Sequence, residues 1–259
     1  MGTKNTGARN GITSNETLLD ILQTIQERDG ARITELAEAG GVSQSTVHRH
    51  LSTLRENGYI VKDEREVYHL GLRFLDMGGQ ARQRHKKKGN IRPKIRKVAE
   101  ETDEVAQLLA EEHGRGFFVY REASENAVST EARIGKRVYL HRNAAGKAIL
   151  AEMSSSRRDE IFDMWGLPAK TEKTITDQQT LEREIEQIQE QKYAIDKGEH
   201  ILQLWAVGVS VTGPDEELIG GLSVAGPRHR MKGEWFEREL PDLLLGIANE
   251  IKLNLTYSD

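Results

Sequence analysis

The hydrophobic positions at the start of the chain recur at helical spacing, which predicts two short amphipathic helices. Ser14 or Asn15 can cap the first helix, and Asp29-Gly30 is expected to end it. Thr34 is the expected N-cap of the second helix, which stops at Gly40-Gly41. The predicted buried positions are Leu18, Ile21, Leu22, Ile25, Leu36 and Ala37.

A third helix follows after only four residues, Ala-Gly-Gly-Val at 39–42. A tight glycine turn between two short amphipathic helices is typical of a helix-turn-helix, whose second helix enters the DNA major groove. Ser43 is expected to cap this helix, and Val47, Leu51 and Leu54 form its buried stripe. Its outward face carries hydroxyl, amide, imidazole and guanidinium groups, which suit phosphate oxygens and base edges. The predicted DNA-binding residues of this helix are Ser43, Gln44, Ser45, Thr46, His48, Arg49 and Ser52.

The pattern then changes to a period of two. Residues 59–62 and 67–70 alternate on either side of a charged turn, which predicts a β-hairpin. A hairpin directly after a recognition helix is a wing, and Arg65 at its tip is a further predicted DNA contact. We therefore expect a winged helix-turn-helix over residues 14–71, preceded by a short disordered arm over residues 1–13. Winged helices also serve as protein-interaction modules, so a sensor or scaffold that does not bind DNA is an alternative.

Residues 72–90 are predicted to form a helical linker that begins with Leu72 and Leu75. Gly78-Gly79 weakens this helix by about 1 kcal/mol for each glycine and predicts a bend. The basic run Arg82, Arg84, Lys86, Lys87 and Lys88 follows. It is either a solvated helix face or a contact with flanking DNA phosphates.

Strands and helices alternate over residues 91–259, beginning with a helix at Ile91-Arg92-Pro93. The predicted strands cover residues 105–110, 116–122, 127–134, 201–212 and 218–225. The predicted helices cover residues 143–153, 156–165, 181–191 and 236–255. This order predicts an α+β domain, an antiparallel sheet with helices on its faces. Such a scaffold can enclose a pocket for a small ligand.

Composition narrows the class of protein. The absence of cysteine excludes disulfides and cysteine-ligated zinc. No apolar run approaches the roughly 18 residues of a membrane helix, and the N-terminus lacks the apolar core of a signal peptide, so we expect a cytoplasmic protein. Residues 1–88 carry 14 Lys and Arg against 11 Asp and Glu, whereas the remainder carries 23 against 30. The net positive charge of the N-terminal part is typical of a protein that binds a polyanion through this part.

No motif predicts an enzyme. Gly146-Lys147 lacks the upstream glycine and the following Ser or Thr of a P-loop, and no nucleophile elbow occurs. The eight histidines show no paired metal spacing. Glu199-His200 is expected to be a hydrogen-bonded structural pair, and residues 228–230 a solvated turn. We therefore expect no catalytic residues, no cofactor and no metal.

Five segments together resemble one known family. They are VSQSTVHRHLSTLRENGYI (42–60), VYHLGLRFLDMG (67–78), LHRNAAGKAILAEM (140–153), YAIDKGEH (193–200) and LIGGLSVAGPRHR (218–230). In this order and spacing they resemble the IclR (isocitrate lyase regulator) family of transcriptional regulators over about residues 14–255. The resemblance implies a winged helix-turn-helix joined to a GAF-like effector domain. It also implies a homodimer, often doubled to a tetramer through the effector domains.

The resemblance further implies where an effector binds, since small carboxylates and aromatic or sugar-derived acids bind in family members. Residues 143–146 open a helix, and helix N-termini favour anions. Alanine at 206 and 225 stands where the family often has cysteine or another polar contact, and residues 207–210 lack its Ala-Pro stretch, which implies a different or larger effector. The implied effector-binding residues are Ala144, Ala145, Asp196, Ala206, Ser223 and Ala225.

These observations lead to one functional expectation. The protein is a sequence-specific regulator that binds a palindromic operator in double-stranded DNA, and a small organic effector controls its operator affinity. Repression and activation, and dimer and tetramer, are open alternatives.

Overall fold

In the computed structural model, the described residues are 11–86, 91–128 and 132–257, with only the backbone described for residues 85 and 86. The chain divides into two compact units, residues 1–81 (unit 1) and residues 82–259 (unit 2). Residues 1–10, which form most of the predicted N-terminal arm, lie outside the described residues.

Unit 1 is a winged helix-turn-helix, as predicted. Its elements are α1 (Thr13–Glu27), α2 (Ile33–Gly40), α3 (Gln44–Glu56), β1 (Ile60–Lys62) and β2 (Tyr68–Leu70). The two strands pair antiparallel, with Val61 opposite His69. The apolar faces of the three helices are buried against one another and against Ile60 and Tyr68 of the hairpin.

Two predicted helix starts are wrong. α1 begins at Thr13, before the predicted caps, and no side chain caps it. α2 begins at Ile33 instead of after Thr34. The reason is that Glu35 reaches back, and its carboxylate accepts a hydrogen bond from the Arg32 backbone N–H at 2.7 Å. This is the reciprocal part of a capping box, which satisfies a helix-end donor without the Thr34 hydroxyl.

The predicted linker helix is α4 (Arg73–Lys86), which continues past Gly78-Gly79. Leu72 and Leu75 at its start are 83% and 73% exposed. Further along, the Arg82 guanidinium lies 5.8 Å from the centre of the Tyr120 ring, and Arg84 pairs with Glu112 at 3.4 Å. Both contacts lie within unit 2, to which these two arginines belong. The Lys86 side chain, Lys87 and Lys88 lie outside the described residues.

Unit 2 is built on one antiparallel sheet with the strand order β5-β4-β3-β8-β7-β6. Its helices are α5 (Arg92–Thr102), α6 (Ala144–Ala151), α7 (Ser155–Trp165), α8 (Gln178–Gln191) and α9 (Leu240–Tyr257). Its strands are β3 (Val105–Glu112), β4 (Arg115–Ala123), β5 (Arg137–Tyr139), β6 (Ala194–Lys197), β7 (Leu204–Thr212) and β8 (Leu218–Pro227).

The two faces of this sheet carry separate cores, because successive strand residues point to opposite faces. Val207, Leu222 and Val224 pack with α5 and α9 on one face. Ala206 and Leu109 pack with α6, α7 and α8 on the other. The second face is where the residues implied by the family resemblance lie.

The predicted strand over residues 127–134 is wrong. Those of its residues that the structure describes are not in a strand, and the edge strand is β5. The two large apolar residues of the predicted strand, Val128 and Ile134, are 43% and 48% exposed. An alternating pattern predicts a strand only when one face is buried, and none of the described residues of this segment is a buried apolar residue.

Three further boundaries differ from prediction. β6 was not predicted, because a strand of four residues with an aspartate carries little pattern. β7 begins at Leu204 instead of residue 201, since the preceding residues form a turn. α9 begins at Leu240, after a π-helical turn over Trp235–Glu239 that the prediction had included in the helix.

Over the three described ranges, no helix combines the length and the apolar character needed to cross a membrane. In the same ranges no three His, Asp or Glu side chains converge on a position that could hold a metal ion.

Candidate functional site

The first candidate site is the outward face of α3. The Ser43 hydroxyl accepts a hydrogen bond from the Thr46 backbone N–H at 3.2 Å, which starts the helix as predicted. Val47, Leu51 and Leu54 are buried. Because these positions point inward, the residues between them point to solvent.

All of the predicted α3 contact residues lie on this open side. Ser43, Gln44, Ser45, His48 and Arg49 are exposed, and Thr46 and Ser52 are half-buried. The hydroxyl oxygens of Ser43 and Ser45 lie 2.9 Å apart, so hydroxyl groups cluster at the helix N-terminus. A helix N-terminus aims backbone N–H groups outward and attracts phosphate. The face can therefore offer phosphate contacts at its start and base-reading groups along its length.

The wing is organised by one carboxylate. Asp63 accepts hydrogen bonds from the backbone N–H groups of Arg65 and Val67, both at 2.9 Å. The Val67 bond is the main cause that holds the pKa of Asp63 below its usual value, and His69 adds to it. This turn holds Arg65 at the exposed tip of the hairpin. A fixed tip can present its guanidinium to a DNA backbone.

Arg32 is a candidate that the sequence reasoning missed. It precedes α2, is exposed, and its Nε donates to the backbone carbonyl of Arg65 at 3.3 Å. The Arg32 guanidinium therefore lies beside the backbone at the tip of the wing. The helical periodicity of α2 does not mark Arg32, because the residue precedes the helix and its partner, Arg65, lies 33 positions further along the chain in the hairpin turn.

The second candidate site is the inner cavity, which lies between the start of α6 and the sheet. Glycines let the helix approach the strands closely: a Cβ on Gly208 would lie 2.6 Å from the backbone of Ala144 and Ala145. Asn143 caps α6 by accepting from the Gly146 N–H at 2.8 Å. The cavity offers about 50 Å³ to the centres of water molecules, enough for a few waters.

Five of the six implied effector residues line the inner cavity, namely Ala144, Asp196, Ala206, Ser223 and Ala225. Ala145 is buried between Gly208 and Gly221, and is not among the lining residues. Trp205 and Leu204 close one side.

Gln107 is a lining residue that the sequence reasoning missed. It lies on β3 directly opposite Ser223 of β8. Its Oε1 is buried and has no hydrogen-bond partner among the described residues. A buried amide oxygen without a partner costs free energy, so this atom can accept a bond from a ligand or a water. One indication of the position of Gln107 is present in the sequence. In the predicted strand over residues 105–110, alternation places residues 105, 107 and 109 on one face.

Three ionisable residues line the inner cavity, namely Lys136, Asp196 and His200, and Asp196 is the acidic one. Its Oδ1 accepts from the backbone N–H groups of Gly198 at 2.9 Å and Glu199 at 2.6 Å. Burial raises the pKa of Asp196 to about 6, against the opposing influence of Lys147. The carboxyl is therefore charged at neutral pH and neutral in mild acid.

Behind the cavity lies a buried ion-pair network that the sequence reasoning did not find. Lys147 is fully buried, contacts a carboxylate oxygen of Glu184 at 2.5 Å, and also pairs with Glu199. Burial raises the pKa of Glu199 to about 7. The predicted Glu199-His200 pair is wrong, because Glu199 turns to Lys147 and the His200 ring faces the Lys170 ammonium at 3.4 Å.

The solvated turn predicted for residues 228–230 is only partly correct. Arg228 and His229 are exposed. Arg230 instead binds the buried carboxylate of Glu104 through two nitrogens, at 2.7 and 2.8 Å.

A solvent-facing recognition helix with a wing, joined to a second domain that encloses a small cavity, defines the class of DNA-binding transcriptional regulators with a sensor domain. The family model described as "IclR helix-turn-helix domain" matches residues 17–64, and "Bacterial transcriptional regulator IclR C-terminal" matches residues 81–253. The chain belongs to the IclR family. It is a transcriptional regulator and not an enzyme.

Relatives support this assignment over the full length. The chain is 30% identical over 254 residues to a probable HTH-type transcriptional regulator ArcR of Halobacterium salinarum, covering 97% of each. It is similar to the solved IclR of Thermotoga maritima at 26% identity and a TM-score of 0.70, covering 95% of this chain and 98% of that one. An IclR homologue of Microbacterium hydrocarbonoxydans, solved with 4-hydroxybenzoate, shares the fold at 21% identity and a TM-score of 0.79, covering 95% and 100%.

Proposed function

We propose that the protein binds a palindromic operator as a homodimer, and that a small organic acid in the inner cavity changes its operator affinity. The observation that best supports this proposal is the combination of two features in one chain. The polar side of α3 faces solvent in unit 1, and unit 2 encloses a cavity at the N-terminus of α6. For control, the acid must bind unequally to the two arrangements of the dimer. Binding chromosomal operators also requires the cytoplasmic location expected above.

The residues of unit 1 take distinct roles on DNA. Arg49 and Gln44 are proposed to contact base edges, because guanidinium and amide groups make paired hydrogen bonds to guanine and adenine. Arg65 and Arg32 are proposed to contact the DNA backbone beside the groove. The remaining proposed contacts, to phosphate or base edges, are Ser43, Ser45, Thr46, His48 and Ser52.

Fluorescence anisotropy with DNA from upstream of the protein's own gene tests the DNA-binding proposal. We expect tight binding to this DNA, weaker binding to a scrambled duplex, and a linear fall of log affinity with log salt concentration. A protein with no salt-dependent affinity for either duplex would instead be a protein-interaction module, and the proposal would be rejected.

Exposed leucines of α1 and of the start of α4 are the proposed dimer contact. Leu72, Leu75 and Leu19 of unit 1 are 83%, 73% and 62% exposed, which is unusual for apolar side chains of a monomer. Leu75→Glu is expected to shift the protein to monomer in light scattering and to lower operator affinity at least about tenfold, because half-sites are then bound singly. Gln80→Glu, an exposed change on the same helix, is the charge control. A Leu75→Glu protein that stays dimeric contradicts this contact.

An acidic effector fits the inner cavity for two reasons. The α6 N-terminus favours an anion, and the small side chains of Ala144, Ala206 and Ala225 let a ligand reach the backbone. The homologue solved with 4-hydroxybenzoate supports an organic acid as the ligand class. Trp205 lines the cavity, so quenching of tryptophan fluorescence provides a direct binding measurement.

Binding of an acid is expected to strengthen as the pH falls. Asp196 lies in the cavity with a pKa of about 6, and its charged form repels a carboxylate. Lys147 and Glu199 interact electrostatically with it, and Lys136 and His200 line the same cavity. Above pH 6 the affinity should fall up to about tenfold per pH unit, since the acid binds with a proton. Asp196→Asn keeps an oxygen acceptor for the Gly198 and Glu199 N–H groups and should flatten this profile. An unchanged slope in that variant would assign the titration to another group.

A further inference from the structure

A second, larger space adjoins the inner cavity. This outer cleft has a volume of about 1020 Å³, and Lys170, His200, Arg228 and His229 line it. None of the described lining residues is Asp or Glu, although residues 89–259 carry more acidic than basic residues. A concave surface with cations and no carboxylate concentrates anions.

The two spaces share a wall. His200, Ile201 and Leu204 line both of them. Two of these side chains are aliphatic, so a hydrocarbon chain can lie against them between the inner cavity and the outer cleft.

The two arginines of the turn after β8 differ in their contacts. Arg230 is bound by the buried Glu104 carboxylate. The Arg228 backbone N–H donates to the Gln203 carbonyl at 2.9 Å, which holds the residue beside the start of β7. Within the described ranges its guanidinium has neither an ion-pair nor a hydrogen-bond partner. Arg228 is therefore positioned in the outer cleft with its donors available, and a guanidinium binds a carboxylate through two parallel bonds.

We propose that the outer cleft is a second anion subsite and that the effector is a linear dicarboxylate. One carboxylate lies in the inner cavity, the methylene chain crosses Ile201 and Leu204, and the other carboxylate binds Arg228 and Lys170. The size of the inner cavity supports this, because 50 Å³ for the centres of water molecules holds one carboxylate but little of a chain. The inference rests on the proposed effector function of the inner cavity.

Calorimetric titration of the full-length protein tests the subsite. The probes are succinate, adipate and suberate, each compared with the monocarboxylate of equal length, which is butyrate, hexanoate or octanoate. At least one dicarboxylate is expected to bind about tenfold more tightly than the monocarboxylate of equal length, because its second carboxylate adds a hydrogen-bonded charge pair. Arg228→Gln should lower that affinity about tenfold and leave the monocarboxylate unchanged. Arg238→Gln, an exposed arginine next to α9 on the other sheet face, should change neither.

Three results would overturn the subsite: no dicarboxylate binds, each binds no better than its monocarboxylate, or Arg228→Gln behaves like Arg238→Gln. Operator binding, measured in the same samples, separates this failure from failure of the proposed function. If a monocarboxylate binds and shifts operator affinity while the dicarboxylates gain nothing, the effector cavity stands and the outer subsite is rejected. If none of the six acids binds, the outer subsite is rejected, and linear aliphatic acids are excluded as ligands of the inner cavity.

Discussion

Replacing Lys147 by Met is expected to lower the free energy of unfolding by about 3–5 kcal/mol at about pH 8, the usual cost of removing one partner from a buried ion pair. Lys147 is completely buried, and its ammonium contacts the carboxylates of Glu184 and Glu199. Without the ammonium, Glu199 must stay charged in an apolar surrounding or take up a proton. Urea denaturation followed by circular dichroism measures the change.

The loss should shrink as the pH falls. Burial raises the pKa of Glu199 from 4.5 to about 7 even beside Lys147, and removing the cation raises it further. A carboxyl whose pKa is higher in the folded than in the unfolded chain binds more protons when folded. Stability from this group is therefore fully present below pH 4.5 and falls as the pH rises through 7. Lys147→Met should accordingly approach the stability of the wild type in mild acid.

Two further variants decide the interpretation. The double variant Lys147→Met with Glu199→Gln lacks the unpaired buried carboxylate, so it should recover a large part of the stability. If the single variant does not fold, the double variant still tests the interpretation. Lys252→Met breaks the exposed pair with Glu216 and should cost at most about 1 kcal/mol. Equal small losses in both single variants would contradict a structural role for the buried network.

The winged helix-turn-helix could be predicted because its determinants are local. The Ser43 cap, the stripe at 47, 51 and 54 and the charged turn of the hairpin each involve residues a few positions apart. The same holds for the amphipathic helix α8, whose buried face the pattern located correctly. Where a single residue decides a boundary, as Glu35 does for α2, local pattern alone misplaced it.

The parts that could not be predicted depend on distant residues. Lys147 finds its partners 37 and 52 positions further along the chain, so neither periodicity nor a motif marks it. β6 exists because it pairs with β7 across the sheet edge, and its own pattern is too short to predict. Asp196, Ala206, Ser223 and Ala225 were placed by family resemblance alone. Their convergence depends on strand register, which a single sequence does not define.

The second large effect is expected at Arg49. Arg49→Ala should weaken binding to the specific operator by about 1–3 kcal/mol, which is about 5- to 150-fold, while affinity for random DNA changes little. The reason is geometric: Arg49 is exposed on the polar side of α3, opposite the buried Val47, Leu51 and Leu54. A paired hydrogen bond to one guanine is lost, and substitution at that base pair should then no longer matter. Anisotropy titrations against an operator and its single-base variants measure this.

Arg28→Ala provides the matched control, because Arg28 is an exposed arginine that ends α1 and lies outside α3. It should leave the preference among operator variants unchanged. A phosphate contact at Arg49 would behave differently from a base contact: affinity would fall alike on operator and random DNA, and the slope of log affinity against log salt would drop by about one. Equal losses of affinity for the two duplexes would thus reject a base contact by Arg49, but they would still support the proposal that α3 binds DNA. No loss on either duplex would remove Arg49 from the interface.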